Sequence, residues 1–446
     1  MGALVNEVTD LLQHLIRNAC VNDGTVGSGQ EVRNVDLLRS YLEGTGVDLE
    51  VHEPKPGRQS LIARIDGRDP EAPSLMLMGH TDVVPATADN WRRDPFGGEL
   101  VDGVVWGRGA IDMLNLTASM AVAVRRLADE GFSPRGTLVY LAVADEEAGG
   151  TWGAKWLVEE HPDVVSTDYV VTELGGARMG LTDATGPKLP VAVAEKGAFW
   201  AGMRVAGVPG HGSMPLRTDN ALATGAEVVR RLAAYRPPPQ IGEIWERFVT
   251  GLQLPGQLSR ELVDARGLDA YIDGLDDAGM ARFVHACTHT TIAPTVMHAG
   301  VKVNVIPDRT ELEVDIRALP GLGREDVLQL ISDALGDVAD RVAIELRHAD
   351  PASASALDTP LWDSLQRHAE RLIPGARNVP YILPGATDAR FLRRLGATCY
   401  GYGAYSDAIP FGEYLRMFHG DDERVDQESL RLSTELWLAV TRDLLA

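Results

Sequence analysis

Between residues 60 and 175 the chain alternates short apolar runs with longer stretches of helical period. The runs Leu61–Ile65, Ser74–Met78, Thr137–Ala144 and Tyr169–Thr172 predict strands, and Leu114–Glu130 and Gly153–Glu160 predict helices. Strands interleaved with helices predict an α/β layer around a mostly parallel sheet. Val101-Asp102-Gly103-Val104 predicts a hairpin turn. The opening stretch, MGALVNEVTDLLQHLIR, is amphipathic and predicts a first helix.

The texture changes near residue 190. Val191–Val205 predicts strand, loop, strand, and a helix follows at about Asn220–Ala234. Pro237-Pro238-Pro239 is a hard break, after which 240–290 is helical and loop-rich. Val301–Val305 and Glu311–Ile316 predict strands around the turn Pro307-Asp308, followed by a helix at Arg324–Leu335 and a strand at Ala343–Leu346. This β-α-β-β-α-β succession is a ferredoxin-like order carrying an insertion at about 237–290. Beyond Asp350 the α/β texture returns. The expected organisation is therefore one α/β domain in two parts, 1–192 and 351–446, with a second domain inserted over 193–350.

Composition narrows the partners. Across 446 residues, Lys+Arg is 42 and Asp+Glu is 64, a formal charge of −22, which disfavours nucleic acid. The longest apolar runs are of strand length, short of the roughly 20 residues a membrane-spanning helix needs. Cys20, Cys287 and Cys399 are far apart and odd in number, so neither a disulfide framework nor a cysteine zinc site is expected, and a reducing cytoplasm fits.

The chemistry gathers at predicted strand ends. Gly79-His80-Thr81-Asp82 follows the run Leu75–Met78, and the carboxyl ends of strands are where open α/β sheets bind ligands. Asp82 is placed to orient His80 or to tune the site from behind its ligands. Asp112 ends a glycine-rich loop at a helix start, where it is either a helix cap or a ligand. Glu146 and Glu147 follow one apolar strand, and Glu173 follows another; each alone also reads as a solvated turn acid. His419 lies among Asp421, Asp422 and Glu423. Taken together, two histidines and three carboxylates without cysteine suit zinc, cobalt or manganese. A carboxylate shared by two ions is the arrangement of two-metal hydrolases.

These motifs resemble the co-catalytic zinc family of aminoacylases, glutamate carboxypeptidase, acetylornithine deacetylase and succinyl-diaminopimelate desuccinylase. The resemblance runs from His80 to His419. It implies a zinc-exopeptidase-like catalytic domain and a ferredoxin-like lid through which the chain forms a homodimer. It further implies that His80 and Glu173 hold one divalent ion, Glu147 and His419 hold the other, and Asp112 bridges them. Zn2+ is the implied metal, with Co2+ or Mn2+ as alternatives. Glu146 matches the general base and Asp82 the partner of His80. In the lid, His211 of Pro209-Gly210-His211-Gly212 matches a residue that reaches an active site, often the partner subunit's. Asn304 and Arg317, with Thr387 and Arg390 of the catalytic domain, are implied substrate contacts, the arginines for a free carboxylate. The stretch 237–290 resembles the longer lids of carboxypeptidase-like members, which points to an apolar or bulky acyl group.

The expected activity is hydrolysis of the amide bond of an N-acyl amino acid. A dipeptidase or carboxypeptidase acts on the same bond and stands as the alternative. A non-catalytic binder keeping the fold is the more distant one, and loss of Glu146 or a ligand would mark it.

Overall fold

The computed structural model describes residues 2–179 and 185–446. Among them, a nine-stranded sheet runs in the order 48–55, 58–65, 138–143, 75–80, 169–172, 398–401, 188–195 and 353–354, with 377–383 also paired to 188–195. The middle is parallel: strand 75–80 pairs in parallel with 138–143 and 169–172, and 398–401 pairs in parallel with 169–172. The outer pairing of 48–55 with 58–65 is antiparallel.

Strands Leu75–His80 and Leu138–Val143 are buried along their whole length, as their unbroken apolar sequences require. Helix Gly2–Arg17, helix Leu114–Asp129 and helix Gln427–Leu445 close one face of the sheet in a single core. Helices Ala154–Glu160 and Ala389–Arg394 cover the other face. Gly79 lets helix Leu114–Asp129 approach the sheet, since a Cβ there would collide with Thr117 Oγ1. The predicted hairpin forms between Glu99–Val101 and Val104–Trp106, with Asp102 and Gly103 at φ 51° and 77°.

A second sheet of four strands has the order 291–299, 309–318, 197–206 and 342–350, antiparallel throughout. Helices Ala221–Ala234 and Arg324–Leu335 pack on it around Phe199, Val314 and Ile331. This is the ferredoxin-like order expected, with one correction. The edge strand is Thr291–Ala299, whereas of the expected strand Val301–Val305 only Val305 is in a strand, the two-residue Val305–Ile306. Residues 301–304 form a turn after Gly300, which sits at φ 72°.

The four helices between Glu243 and Thr288 do not extend the small sheet's core. Trp245, Phe248, Val249 and Leu252 line one face of helix Glu243–Leu252 at helical spacing and share a cluster with Val379 of the large sheet. No helix among the described residues is long and apolar enough to cross a membrane.

Candidate metal centre

His80 ends strand Leu75–His80 and is 1% exposed. Its Nδ1 lies 2.9 Å from the backbone carbonyl of Asp82, so it must donate there. Nε2 is thereby turned toward Asp112 Oδ1 at 3.2 Å and Glu173 Oε2 at 3.6 Å. Asp112 presents its other oxygen to His419 Nε2 at 3.3 Å. His419 Nε2 also meets Glu147 Oε2 at 3.1 Å. One carboxylate thus faces two imidazoles, and each imidazole faces one further carboxylate. Two groups could each hold an ion, His80–Asp112–Glu173 and Asp112–Glu147–His419, with ligand atoms within 4.8 Å of one another.

The local backbone puts each group there. Glu146 and Glu147 open a short 3-10 turn that Asp145 enters at φ 70°. Glu173 follows strand Tyr169–Thr172 and precedes a reversal with Leu174 at φ 70° and Gly176 at φ 80°. A Cβ on Gly176 would overlap the Gly403 carbonyl oxygen, so this turn needs glycine twice over. His419 itself sits at φ 56°.

The electrostatics of these groups suit a cation. Burial, then the charge of Asp112, pushes the Glu173 carboxyl up to about 8. Burial followed by the same charge raises Glu147. Burial, then the charge of Glu173, raises Glu146 well above the usual carboxylate range. Burial alone would lower His80, but its hydrogen bonds to Asp112 and Glu173 reverse the sign. The hydrogen bonds to Asp112 and Glu147 hold His419 at about 10. Glu147 Oε1 is buried with no hydrogen-bond partner. An unpartnered carboxylate oxygen and acids raised by burial, and then by one another's charge, fit divalent cations bound through nitrogen and oxygen.

Asp82 meets His80 chiefly through its backbone carbonyl and turns its carboxylate to the next loop. Its carboxylate is 3.6 Å from His80 Nδ1, farther than its own carbonyl. It accepts the backbone N–H groups of Glu146 at 3.3 Å and Glu147 at 3.1 Å, and the Asn22 amide at 2.8 Å. Asn22 in turn bonds Asp145 and receives Arg58, which pairs with buried Glu31.

Glu423 was not legible as a site residue. It is fully buried and accepts the backbone N–H of Gly109 (2.9 Å), Ile111 (2.6 Å) and Asp112 (2.8 Å), plus Arg108 Nη1 (3.0 Å). One carboxylate therefore pins the loop that delivers Asp112 to the loop that delivers His419. Its only sequence signal was its place in the acidic run after His419.

Asp112, Glu146, Glu147, Glu173 and His419 line one end of a cavity of about 370 Å³. His211, Asn304, Arg317, Thr387 and Arg390 lie outside its wall. His211 is exposed in a two-stranded ribbon, where its register partner Val305 follows Asn304. Arg317 Nε bonds Asp315 at 3.0 Å on the small sheet. Thr387 is buried against Glu195. Arg390 bonds the carbonyls of Thr387 and Gly149 and pairs with Asp350 at 3.1 Å. Arg390 is thus occupied in holding the loop beside Glu146 and Glu147, and Thr387 in holding Glu195.

Comparison with known proteins agrees with this geometry. The model of peptidase family M20/M25/M40 matches residues 76–443. The chain is 27% identical over 439 residues to the N-fatty-acyl-amino acid synthase/hydrolase PM20D1 of Xenopus tropicalis, covering 94% of this chain and 83% of that protein. It is 26% identical over 422 residues to a succinyl-diaminopimelate desuccinylase of Cereibacter sphaeroides, covering 92% and 93%. In fold it is similar to the M20 family metallo-carboxypeptidase Sso-CP2 of Sulfolobus solfataricus, with TM-score 0.70, 16% identity and coverage of 98% and 99%. Because the family match takes in Asp112, Glu146, Glu147, Glu173 and His419 together, the chain belongs to peptidase family M20/M25/M40 and is a metallohydrolase of amide bonds.

Proposed function

We propose that the protein hydrolyses the amide bond of N-acyl amino acids at a dinuclear centre. His80 and Glu173 would hold one ion, Glu147 and His419 the other, and Asp112 both. The nitrogen and oxygen donor set suits Zn2+, with Co2+ or Mn2+ as alternatives. A bound pair supplies Lewis acidity toward the amide carbonyl and the attacking water. Glu146 is the general base: it belongs to neither ligand group and lines the cavity beside both, where it is placed to take a proton from the attacking water. The same carboxyl then returns the proton to the leaving amine nitrogen. Asp82 holds the Glu146 and Glu147 backbone in place while this occurs.

The lid supplies the rest of the substrate site in this reading. His211 and Asn304 lie side by side on the small-sheet ribbon, and Arg317 ends a strand of that sheet. Arg317 would read the substrate carboxylate and His211 the developing oxyanion once the lid meets the cavity, with Thr387 and Arg390 supporting the loop beneath. A homodimer through the lid is supported by the unpaired edge of strand Thr291–Ala299, which leaves Val296 and Met297 exposed beside fully exposed Val301 and Val303. The three cysteines are unpaired and buried, which supports a reducing, cytoplasmic setting.

The carrying observation is Asp112, whose two oxygens face His80 at 3.2 Å and His419 at 3.3 Å. The test is metal content and turnover of an N-acyl amino acid and dipeptide panel, for wild type and Glu146→Gln. The expected result is bound divalent metal in both and a loss of about 10²–10⁴-fold in kcat for the variant. Wild type that binds no divalent metal when supplied with it, or a fully active variant, overturns the reading. Preference for dipeptides across the panel replaces the acylase assignment with a dipeptidase.

A further inference from the structure

Away from its carboxylates, the cavity wall changes character. Met179, Phe283, Tyr381, Phe411, Leu415 and Phe418 form it, and among the described residues no lysine or arginine lines it. Tyr381 contributes ring rather than hydroxyl, because its OH donates to the Leu174 carbonyl at 2.5 Å. Four separate stretches build this end: the segment after Glu173, strand Arg377–Leu383, helix Phe411–Met417 leading into His419, and helix Ala278–Thr288 of the 237–290 segment. The 237–290 helices reach the cavity because their apolar faces pack on the large sheet.

Two physical constraints follow. A substrate carboxylate cannot settle in this end, since burying an unpaired charge is costly and the residues named here offer it no cationic partner. The candidate carboxylate reader Arg317 lies on the small sheet, outside this wall. With the scissile amide at the carboxylate end and the amino-acid carboxylate turned to the lid, the apolar end is left for the acyl side.

We infer that the cavity is an acyl pocket selecting an uncharged, apolar acyl group of four or more carbons, and that Phe283 makes the 237–290 helices a specificity element. Short acetyl groups leave the aromatic wall unfilled, and succinyl groups bring a charge into it. The inference rests on the amide-hydrolase reading above. It separates this chain's substrates from those of a desuccinylase on the wall residues alone.

The test is kcat/KM of the metal-loaded protein on one amino acid carrying acetyl, butanoyl, hexanoyl and succinyl groups. The expected rise is about fourfold per buried methylene from acetyl to hexanoyl. Succinyl should fall below butanoyl by more than about tenfold. Leu415 is 48% exposed, so Leu415→Arg is tolerated by the fold; it should shrink the hexanoyl-to-acetyl ratio and raise the succinyl-to-butanoyl ratio. Phe283→Ala should shrink the first ratio alone. Equal rates for acetyl and hexanoyl, or succinyl cleaved as fast as butanoyl, overturn the pocket assignment while the hydrolase reading stands. Failure to cleave any of the four overturns the hydrolase reading and the inference with it.

Discussion

Replacing Glu423 with glutamine changes one atom and should damage both the fold and the ion site. In the native chain Oε1 accepts the N–H groups of Ile111 and Asp112, and Oε2 accepts Gly109 N–H and Arg108 Nη1. A glutamine has one acceptor oxygen, so its NH2 must face two donors. Each hydrogen bond to a charged acceptor contributes about 1.5–3 kcal/mol. Arg108, 2% exposed, keeps the Gly420 carbonyl at 2.9 Å but loses its counter-charge. Breaking a buried pair from one side costs about 3–5 kcal/mol, and that figure already contains the lost hydrogen bonds. With an unfolding entropy of about 2.1 cal/mol/K per residue, a loss of this size lowers Tm by about 4 °C if the chain melts as one unit.

The second readout separates positioning from mere stability. Groups that orient ligands cost about 10–100-fold in metal affinity when altered. Glu423 holds the backbone N–H of Asp112 itself, so Glu423→Gln should weaken divalent metal binding by that factor in a chelator-competition titration. Calorimetry of the metal-free protein gives the stability term independently. A Tm within 1 °C of wild type with unchanged metal affinity refutes both parts. A lowered Tm with unchanged affinity refutes the coupling between Glu423 and Asp112.

Four further outcomes are expected. Asp112→Asn should lose both ions on dialysis, whereas Glu173→Gln loses one, measured by elemental analysis; loss of one ion only from Asp112→Asn rules out sharing. Lys196 is buried between the two sheets, and burial pushes its ammonium down to about 7. The folded state therefore binds fewer protons than the unfolded between pH 7 and about 10.4, so this group's contribution to stability rises with pH across that window. Relative to Lys196→Met, wild type should gain at most about 1.4 kcal/mol per pH unit there, read by denaturant melts; parallel pH profiles contradict it. Light scattering should give a dimer that Val303→Asp weakens, and a monodisperse active monomer contradicts the lid interface. His211→Ala should cut kcat about 10²–10³-fold with metal content intact, and full activity removes it from the oxyanion site.

The parts of the site that were legible share one physical basis. A parallel strand buried on both faces is an unbroken apolar run, so the polar residue that ends it is conspicuous. His80, Glu146, Glu147 and Glu173 all stand just after such runs. Glu423 and the Asn22–Arg58–Glu31 chain were not legible, because their partners are backbone amides or side chains distant in sequence. Edge strands mislead in the opposite way. Val301-Lys302-Val303-Asn304-Val305 alternates like a strand, yet it is a turn whose valines point to solvent. The actual edge, Thr291–Ala299, contains Pro294, which an edge strand tolerates, and its exposed face lacks the alternation of a half-buried one.

The distribution of the ligand groups along the chain separates two tasks. His80, Asp112, Glu147 and Glu173 come before residue 174, and His419 with its anchor Glu423 comes after 418. Among the described residues, nothing between those limits contributes to either ligand group, although both the small sheet and the 237–290 helices lie there. In the proposed reading, the lid residues and the 237–290 helices that select substrate lie apart from the ion ligands along the chain, whereas helix Phe411–Met417, which also lines the cavity, runs directly into His419. The small sheet can change its edge, its ribbon and Arg317 without moving an ion ligand. The 237–290 helices can change Phe283, and with it the proposed acyl end, without replacing a ligand. The reverse does not hold: the five residues from His419 to Glu423 carry one ligand and the clamp on the shared Asp112, so a change there strikes both ion positions at once. Substrate range is thus free to vary on a centre that is not.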